Sequence, residues 1–315
     1  LLRIYKKAGI LVFLALEIII FTVLSPHFFT LNNFTNLLRQ TAMLGIATIG
    51  ISFVMLGGSS NDLSVAGQIP LISIVCAVLM TTYNMPVWAC VIIALVIGLL
   101  LGLLNGLICQ LLRINPFVVT LGTMTIMKGV ALLFSGGISI SGLPSEFGFL
   151  GQGYISVVPT PIVLLFGCII VAQFVLSKTY FGRYVYAMGG NPEAARLAGI
   201  NIDRIRIATF MISGFFAALA GLVMTSRTMI ASTTGGSSYS FDCMTACVLG
   251  GVSFAGGEGK LWGAAVGVLV LGILTNAMTL LNVGSYWQDI IKGSIMILAL
   301  YLDRLQTNLK LKESQ

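Results

Sequence analysis

The reactive residues of this chain are few, and their spacing matches no catalytic or metal-binding pattern. The only histidine, His27, stands at the edge of an apolar run, where an imidazole is ordinarily solvated. The six cysteines (Cys76, Cys90, Cys109, Cys168, Cys243 and Cys247) all fall in apolar runs, and no His/Cys/Asp set has metal-ligand spacing. Cys243 and Cys247 share a helix face at i, i+4, which small-residue packing explains, and nothing suggests disulfides. Gly259-Lys260 is the nearest approach to a phosphate-binding loop. Leu261 follows it where Ser or Thr belongs, and Phe254 holds the place of the first glycine. We therefore expect no catalysis, metal or cofactor on this chain; any ATP would be bound by another.

What remains is polar chemistry inside apolar sequence. Glu17, Lys128, Asp289 and Lys292 lie within apolar runs, and ionisable groups there are costly enough to be functional candidates. Asp289 and Lys292 are three residues apart and are expected to pair on one helix face. Asp62 and Asp242 each open an apolar run, so each is read as a helix N-terminal cap, with lining of a path as a compatible second role. Asn61, Ser64, Gln68, Asn105 and Asn276 are neutral hydrogen-bonding groups. They suit a path for an uncharged, hydroxyl-rich solute, and hydrogen bonding between helices accounts for them equally well.

The elements that hold these residues follow from composition. Of 315 residues, 57% are hydrophobic and 9% charged, with a mean hydropathy of +1.01. A soluble domain carries about 25% charged residues, so a soluble enzyme, a secreted disulfide scaffold and a disordered chain are excluded. The net charge of +7 is scattered between apolar runs, not gathered into a basic face, so nucleic acid is not the expected partner. The runs are continuous, without period two, and read as spanning helices. Ten are expected, at roughly 9–24, 41–57, 63–81, 87–109, 117–135, 159–176, 206–226, 241–255, 261–281 and 285–302. Ser25-Pro26-His27 follows the first run instead of a cleavage site, so that run is expected to be retained.

With ten spans both termini share a side. Placing them in the cytoplasm puts Arg3, Lys6, Lys7, Arg113, Lys178, Arg183, Arg196, Arg204, Arg206, Lys260, Arg304, Lys310 and Lys312 inside, thirteen of the 17 Lys and Arg, against Arg39 and Arg227 outside. That asymmetry sets the orientation. Two loops stand out: an outer Gly/Ser/Pro-rich loop at about 136–158, suited to cap a path or dock a partner, and a basic inner loop at about 177–205.

The two halves also echo each other. Asp62-Leu-Ser-Val-Ala66 matches Asp242-Cys-Met-Thr-Ala246, Gly102 with Asn105 matches Gly272 with Asn276, and Lys128-Gly129 matches Lys292-Gly293. Each match shifts by five spans, which reverses direction across the membrane. The expectation is an inverted-topology repeat in a single 1–315 domain, with the path near the repeat interface.

The inner loop contains Gly182-Arg-Tyr-Val-Tyr-Ala-Met-Gly-Gly-Asn191-Pro-Glu193-Ala-Ala-Arg-Leu-Ala-Gly199. Asn191 reads as an N-cap, Pro192 as the first helical position and Gly199 as the C-terminal cap. Glu193-Ala194-Ala195-x-x-x-Gly199 resembles the EAA coupling loop of ABC importer permeases. Further motifs agree: Leu31-Asn-Asn33-Phe-x-Asn36, Asp62-Leu-Ser-Val65, Pro116-Phe-x-x-Thr120-Leu-Gly-Thr, Val248-Leu-Gly-Gly-Val-Ser-Phe-Ala-Gly-Gly257, and Tyr286-Trp-Gln288 with Lys292-Gly293. Together they are similar to the permease subunits of ribose-, galactose- and xylose-type monosaccharide importers. One stretch departs: Gly57-Gly-Ser-Ser-Asn-Asp62-Leu-Ser-Val-Ala66-Gly67 stands where the family commonly has Gly-Gly-Ile-Asp-Leu-Ser-Val-Gly.

The resemblance implies an all-α, multi-pass permease of the bacterial inner membrane, paired with a second permease copy. It further implies a cytoplasmic ATPase that holds ATP and Mg, and a periplasmic or lipid-anchored substrate-binding protein. Asn191 to Gly199 would then couple ATP-driven closure to opening of the path. Other cargoes within the same superfamily are autoinducer-2-like compounds, nucleosides and branched-chain amino acids. The alternative from another class is an ion-coupled secondary transporter, which predicts an essential buried charged coupling site.

Overall fold

The protein is described by a computed structural model covering residues 2–59 and 62–313, with side chains for 10–59 and 62–305. The backbone is helical almost throughout, as lipid demands of a chain whose polar groups must bond internally. The first part holds α1 (Leu2–Leu24), α2 (Leu31–Leu56), α3 (Val65–Thr81), α4 (Val87–Leu111) and α5 (Pro116–Ser135). A 3-10 turn (Ser145–Gly148), α6 (Phe149–Gln152) and a hairpin of β1 (Tyr154–Ile155) with β2 (Val158–Pro159) follow. The second part holds α7 (Thr160–Lys178), α8 (Tyr180–Gly190), α9 (Pro192–Leu197), α10 (Ile202–Thr228), α11 (Tyr239–Leu249), α12 (Leu261–Leu280) and α13 (Ser285–Glu313). Asn61 lies outside the described residues.

Six of these helices (α2, α4, α5, α7, α10 and α12) are long and apolar enough to cross a bilayer. With them the chain is a multi-pass, all-α membrane protein. Several expected ends move. The second run starts at Leu31, ten residues before the expected 41, because Thr30 caps α2 by accepting from the Asn33 N–H. The polar Asn33 is accommodated there by a partner on α12. The eighth run stops at Leu249, not 255, because Gly250 and Gly251 (φ +82°) end α11 and begin a glycine loop. Eleven residues rise only about 16 Å, half the ~30 Å apolar thickness of a bilayer. At 17 residues, α3 is short as well.

The packing crosses between the halves. The core of α2 is completed by α7, α10, α11 and α12, while α10 packs along α4 and α3. Gly98, Gly102 and Gly106 form one small-residue ridge on α4, and Gly102 meets Phe210 and Met211 of α10 with no room for a Cβ. Its sequence counterpart Gly272 on α12 meets the Thr41 side chain of α2, again with no room for a Cβ. Close backbone approach is how helices gain packing energy where lipid supplies no hydrophobic drive. The outermost helices instead show apolar side chains such as Leu100, Ile126 and Phe174, each half-exposed or more and suited to face lipid.

The 136–158 loop is folded down as a cap. Ile140 bridges Ala231, the Gly151 N–H donates to Ser226 Oγ at 2.7 Å, and Gln152 Nε2 donates to the Arg227 carbonyl at 2.9 Å. Arg39 lies 4.7 Å over the Tyr154 ring and donates to the Gln152 carbonyl at 3.0 Å.

Candidate functional site

At the end of the bundle away from that cap, the expected single capped helix is a pair, α8 and α9. Thr179 caps α8 by accepting from the Gly182 N–H at 3.2 Å. Gly182, Val185 and Met188 recur every third residue on its buried face, so α8 lies flat against the bundle. Asn191 caps α9 as expected: its Oδ1 accepts from the Ala194 N–H at 3.0 Å, with Pro192 in the first turn. The helix ends in a Schellman motif. The Gly199 N–H donates to the Arg196 carbonyl and the Ile200 N–H to the Ala195 carbonyl, each at 3.0 Å, with Gly199 at φ +84°. Only Ala195 of α9 is buried, held among Met188, Ile200, Ile202 and Ile205. Glu193, Ala194, Arg196 and Ala198 are exposed, and so is Leu197, at 91%. A six-residue helix fixed at both ends and presenting a bare leucine is a knob waiting for a groove.

This knob is tied to the transmembrane core through backbone. Gly189, near the end of α8, packs against the Leu56 carbonyl at the end of α2 and against Gly257, leaving no space for a Cβ. The Gly257 N–H donates to the same Leu56 carbonyl at 2.9 Å. Tyr186 hydroxyl donates to the Gly259 carbonyl at 3.0 Å, and burial pushes its phenol up, so it stays the donor. Gly259-Lys260 is thus the lead-in to α12, with Lys260 in its N-cap position.

Within the bundle, α3 and α11 meet head to head. The Ser240 hydroxyl donates to the Leu63 carbonyl and accepts from the Ala66 N–H, both at 2.9 Å, so one side chain of α11 ties it to the start of α3. Beside it, Asp62 is sealed at 1% exposure. Its Oδ1 accepts from the Ser64 N–H at 3.0 Å and the Ser64 hydroxyl at 2.5 Å, and its Oδ2 accepts from the Ser213 hydroxyl at 2.7 Å. Asn105 Nδ2 donates to Ser64 Oγ at 2.8 Å. Asp62 is therefore not the N-cap expected: Ser64 occupies that position without a cap contact of its own, while Asp62 accepts from the Ser64 N–H two residues on and from Ser213 of α10. Asp62, Ser64 and Asn105 come together, with Ser213 added from α10.

The remaining candidates lie elsewhere. Gln68 is fully buried on α3 with its amide oxygen and nitrogen unbonded among the described residues. Asn276 exchanges two hydrogen bonds with Asn33, at 2.9 and 3.0 Å, clamping α12 to α2. Asp242 is not a cap: it sits inside the first turn of α11, where its Oδ2 accepts from the Ser238 hydroxyl at 2.9 Å and from Lys292 Nζ at 3.4 Å. This corrects the expected Asp289–Lys292 pair. The direction of Lys292 across to α11 is set by tertiary packing, which spacing along α13 does not reveal. Glu17 is buried, with both carboxylate oxygens unbonded among the described residues. Sequence reasoning missed Ser213, Ser240 and Leu197. Only Leu197 left a signal, as an apolar residue inside the Glu193-to-Gly199 motif.

The family model described as "Branched-chain amino acid transport system / permease component" matches residues 33–300. The chain is 39% identical over 301 residues to the ribose import permease protein of Bacillus subtilis, covering 95% of this chain and 93% of the relative. It is 36% identical over 308 residues to the L-arabinose transport system permease protein of Escherichia coli, covering 98% and 93%. It is 35% identical over 319 residues to the galactose/methyl galactoside import permease protein of Salmonella typhimurium, covering 96% and 95%. No solved structure matches.

Proposed function

This chain belongs to the family of ABC importer permease components, and from that membership we propose that it forms the membrane path for a monosaccharide in an ATP-driven, binding-protein-dependent importer of the bacterial inner membrane. The observation that carries this is α9, a doubly capped helix with Leu197 bare to solvent and linked through Gly189 to the end of α2. Asn191, Pro192, Glu193, Ala194, Ala195 and Gly199 form the seat for a cytoplasmic ATPase that binds ATP and Mg. The chain itself has no phosphate-binding loop and hydrolyses nothing.

In this reading the chain is one domain with ten spans, both termini in the cytoplasm, and a second permease copy beside it. The crossed packing of α2 on α11 and α12, mirrored by α10 on α3 and α4, supports an inverted repeat, as do Gly102 and Gly272 at equivalent contacts. Asn61 is a path candidate by sequence, and Asp62, Ser64, Gln68, Asn105, Asp242 and Asn276 are the polar residues near the repeat interface. The path candidate among them with a free face is Asp242; Asp62, Ser64, Asn105 and Asn276 serve chiefly to hold helices together.

The test is uptake by proteoliposomes holding the permease, its ATPase and its binding protein, with labelled D-ribose, L-arabinose and D-galactose. Uptake is expected only with ATP and all three components, and permease alone is expected to hydrolyse no ATP. The family description favours a second cargo, a branched-chain amino acid; labelled leucine in the same panel separates the two.

A further inference from the structure

The Asp242–Lys292 pair sits in a narrow cleft of about 40 Å³ between α2, α11, α12 and α13, which Gln40, Thr41, Tyr239 and Thr275 also line. We propose that this cleft is a polyol-binding subsite of the translocation path, where the ion pair and its polar neighbours grip the hydroxyls of a passing monosaccharide. The inference rests on the monosaccharide reading above and deepens it.

Three observations lead there. First, hydrogen-bonding capacity is left open. Among the described residues, Asp242 uses only Oδ2, for Ser238 and Lys292, while Lys292 Nζ has three donors and bonds only Asp242. The Gln40 amide and the Tyr239 hydroxyl make no hydrogen bond among the described residues, and both side chains line the cleft. A vicinal diol needs such a set, with an acceptor and a cationic donor a few ångströms apart. Second, the pair keeps side-chain exposures of 20% and 11% inside an apolar bundle. Charge that is wetted at membrane depth must face water or a polar solute, because facing lipid would cost several kcal/mol. Third, the other half of the chain provides an internal contrast. Asp62, the counterpart of Asp242, has both oxygens bonded by Ser64 and Ser213 and is closed off. Lys128, the counterpart of Lys292, makes no ion pair among the described residues. One half has closed its carboxylate into structure, and the other has left its carboxylate open to a cleft.

The experiment uses the reconstituted three-component importer and the three labelled sugars. Gln40→Ala and Thr275→Val leave the ion pair intact, and Asp242→Asn with Lys292→Met removes both charges together, stranding neither. Each is expected to lower uptake about tenfold or more, the size of one or two lost solute hydrogen bonds. Melting temperature and ATPase co-purification should hold. The exchange Asp242→Lys with Lys292→Asp rebuilds the attraction but reverses its direction, so stability should return and uptake should not. Wild-type uptake in the two single variants, or full rescue by the exchange, would show a purely structural clasp and overturn the subsite. If the wild-type importer takes up none of the sugars, the monosaccharide reading fails and takes this one with it. If it does, and the variants match it, only the subsite fails.

Discussion

Leu197 illustrates how little chemistry the proposed coupling surface needs. It adds nothing to the core, since it is 91% exposed, and an exposed apolar side chain on a rigid helix gains its energy only when a partner removes it from water. Burying a leucine is worth about 1.5–3 kcal/mol, enough to change association by one to two powers of ten. We expect Leu197→Asp to lose ATPase co-purification from detergent while the permease melts at the wild-type temperature. Co-purification at wild-type yield would refute the assignment. The neighbouring Gly199 acts differently. At φ +84° it closes the Schellman turn in open space, so a β-branched residue there would be opposed by backbone strain and not by collision.

At the scale of elements, α8 is the connecting rod, and its two terminal glycines differ in kind. Gly189 touches the α2 end and the 250–259 loop backbone to backbone, whereas Gly190 has open space where a Cβ would go. Gly189→Ala is therefore expected to force α8 off α2, lowering both the melting temperature and uptake per ATP consumed. Gly190→Ala should leave both unchanged or gain up to about 1 kcal/mol from reduced chain entropy. Equal effects in the two variants would remove the contact argument. The contrast was not legible in the sequence, because Gly189-Gly190 is one dipeptide and only three converging segments distinguish its members. The capping of α9 was legible, because Asn191, Pro192 and Gly199 act through backbone bonds within a few residues. The start of α2 was not. Its Asn32, Asn33, Asn36, Arg39 and Gln40 read as a loop until Asn33 finds Asn276 on α12 and Arg39 finds Tyr154. Polar residues were recognisable as exceptional in apolar runs, yet their partners lie on other helices, as Asp242 of α11 does for Lys292 of α13.

The whole molecule is polarised, with the folded cap at one end and α8, α9 and the glycine loop at the other. On the ten-span reading proposed above, thirteen basic residues fall on one side and give that polarity a direction. We expect fluorescent reporters at either terminus to be active in the cytoplasm. A cysteine at Val157, 86% exposed on the hairpin, should react with an impermeant reagent from outside intact inner membranes. Labelling only after permeabilisation would invert the orientation. The crossed packing has a consequence for biosynthesis. In its most apolar stretch α2 is 83% buried, and its principal contacts are all with helices from α7 onward. When α2 leaves the ribosome, the surfaces that will enclose it have not been made. Its threonines and Arg39 must wait at the insertion machinery or in lipid through well over a hundred residues of synthesis. Truncated chains that end before α12 should therefore be the natural substrates of membrane quality control.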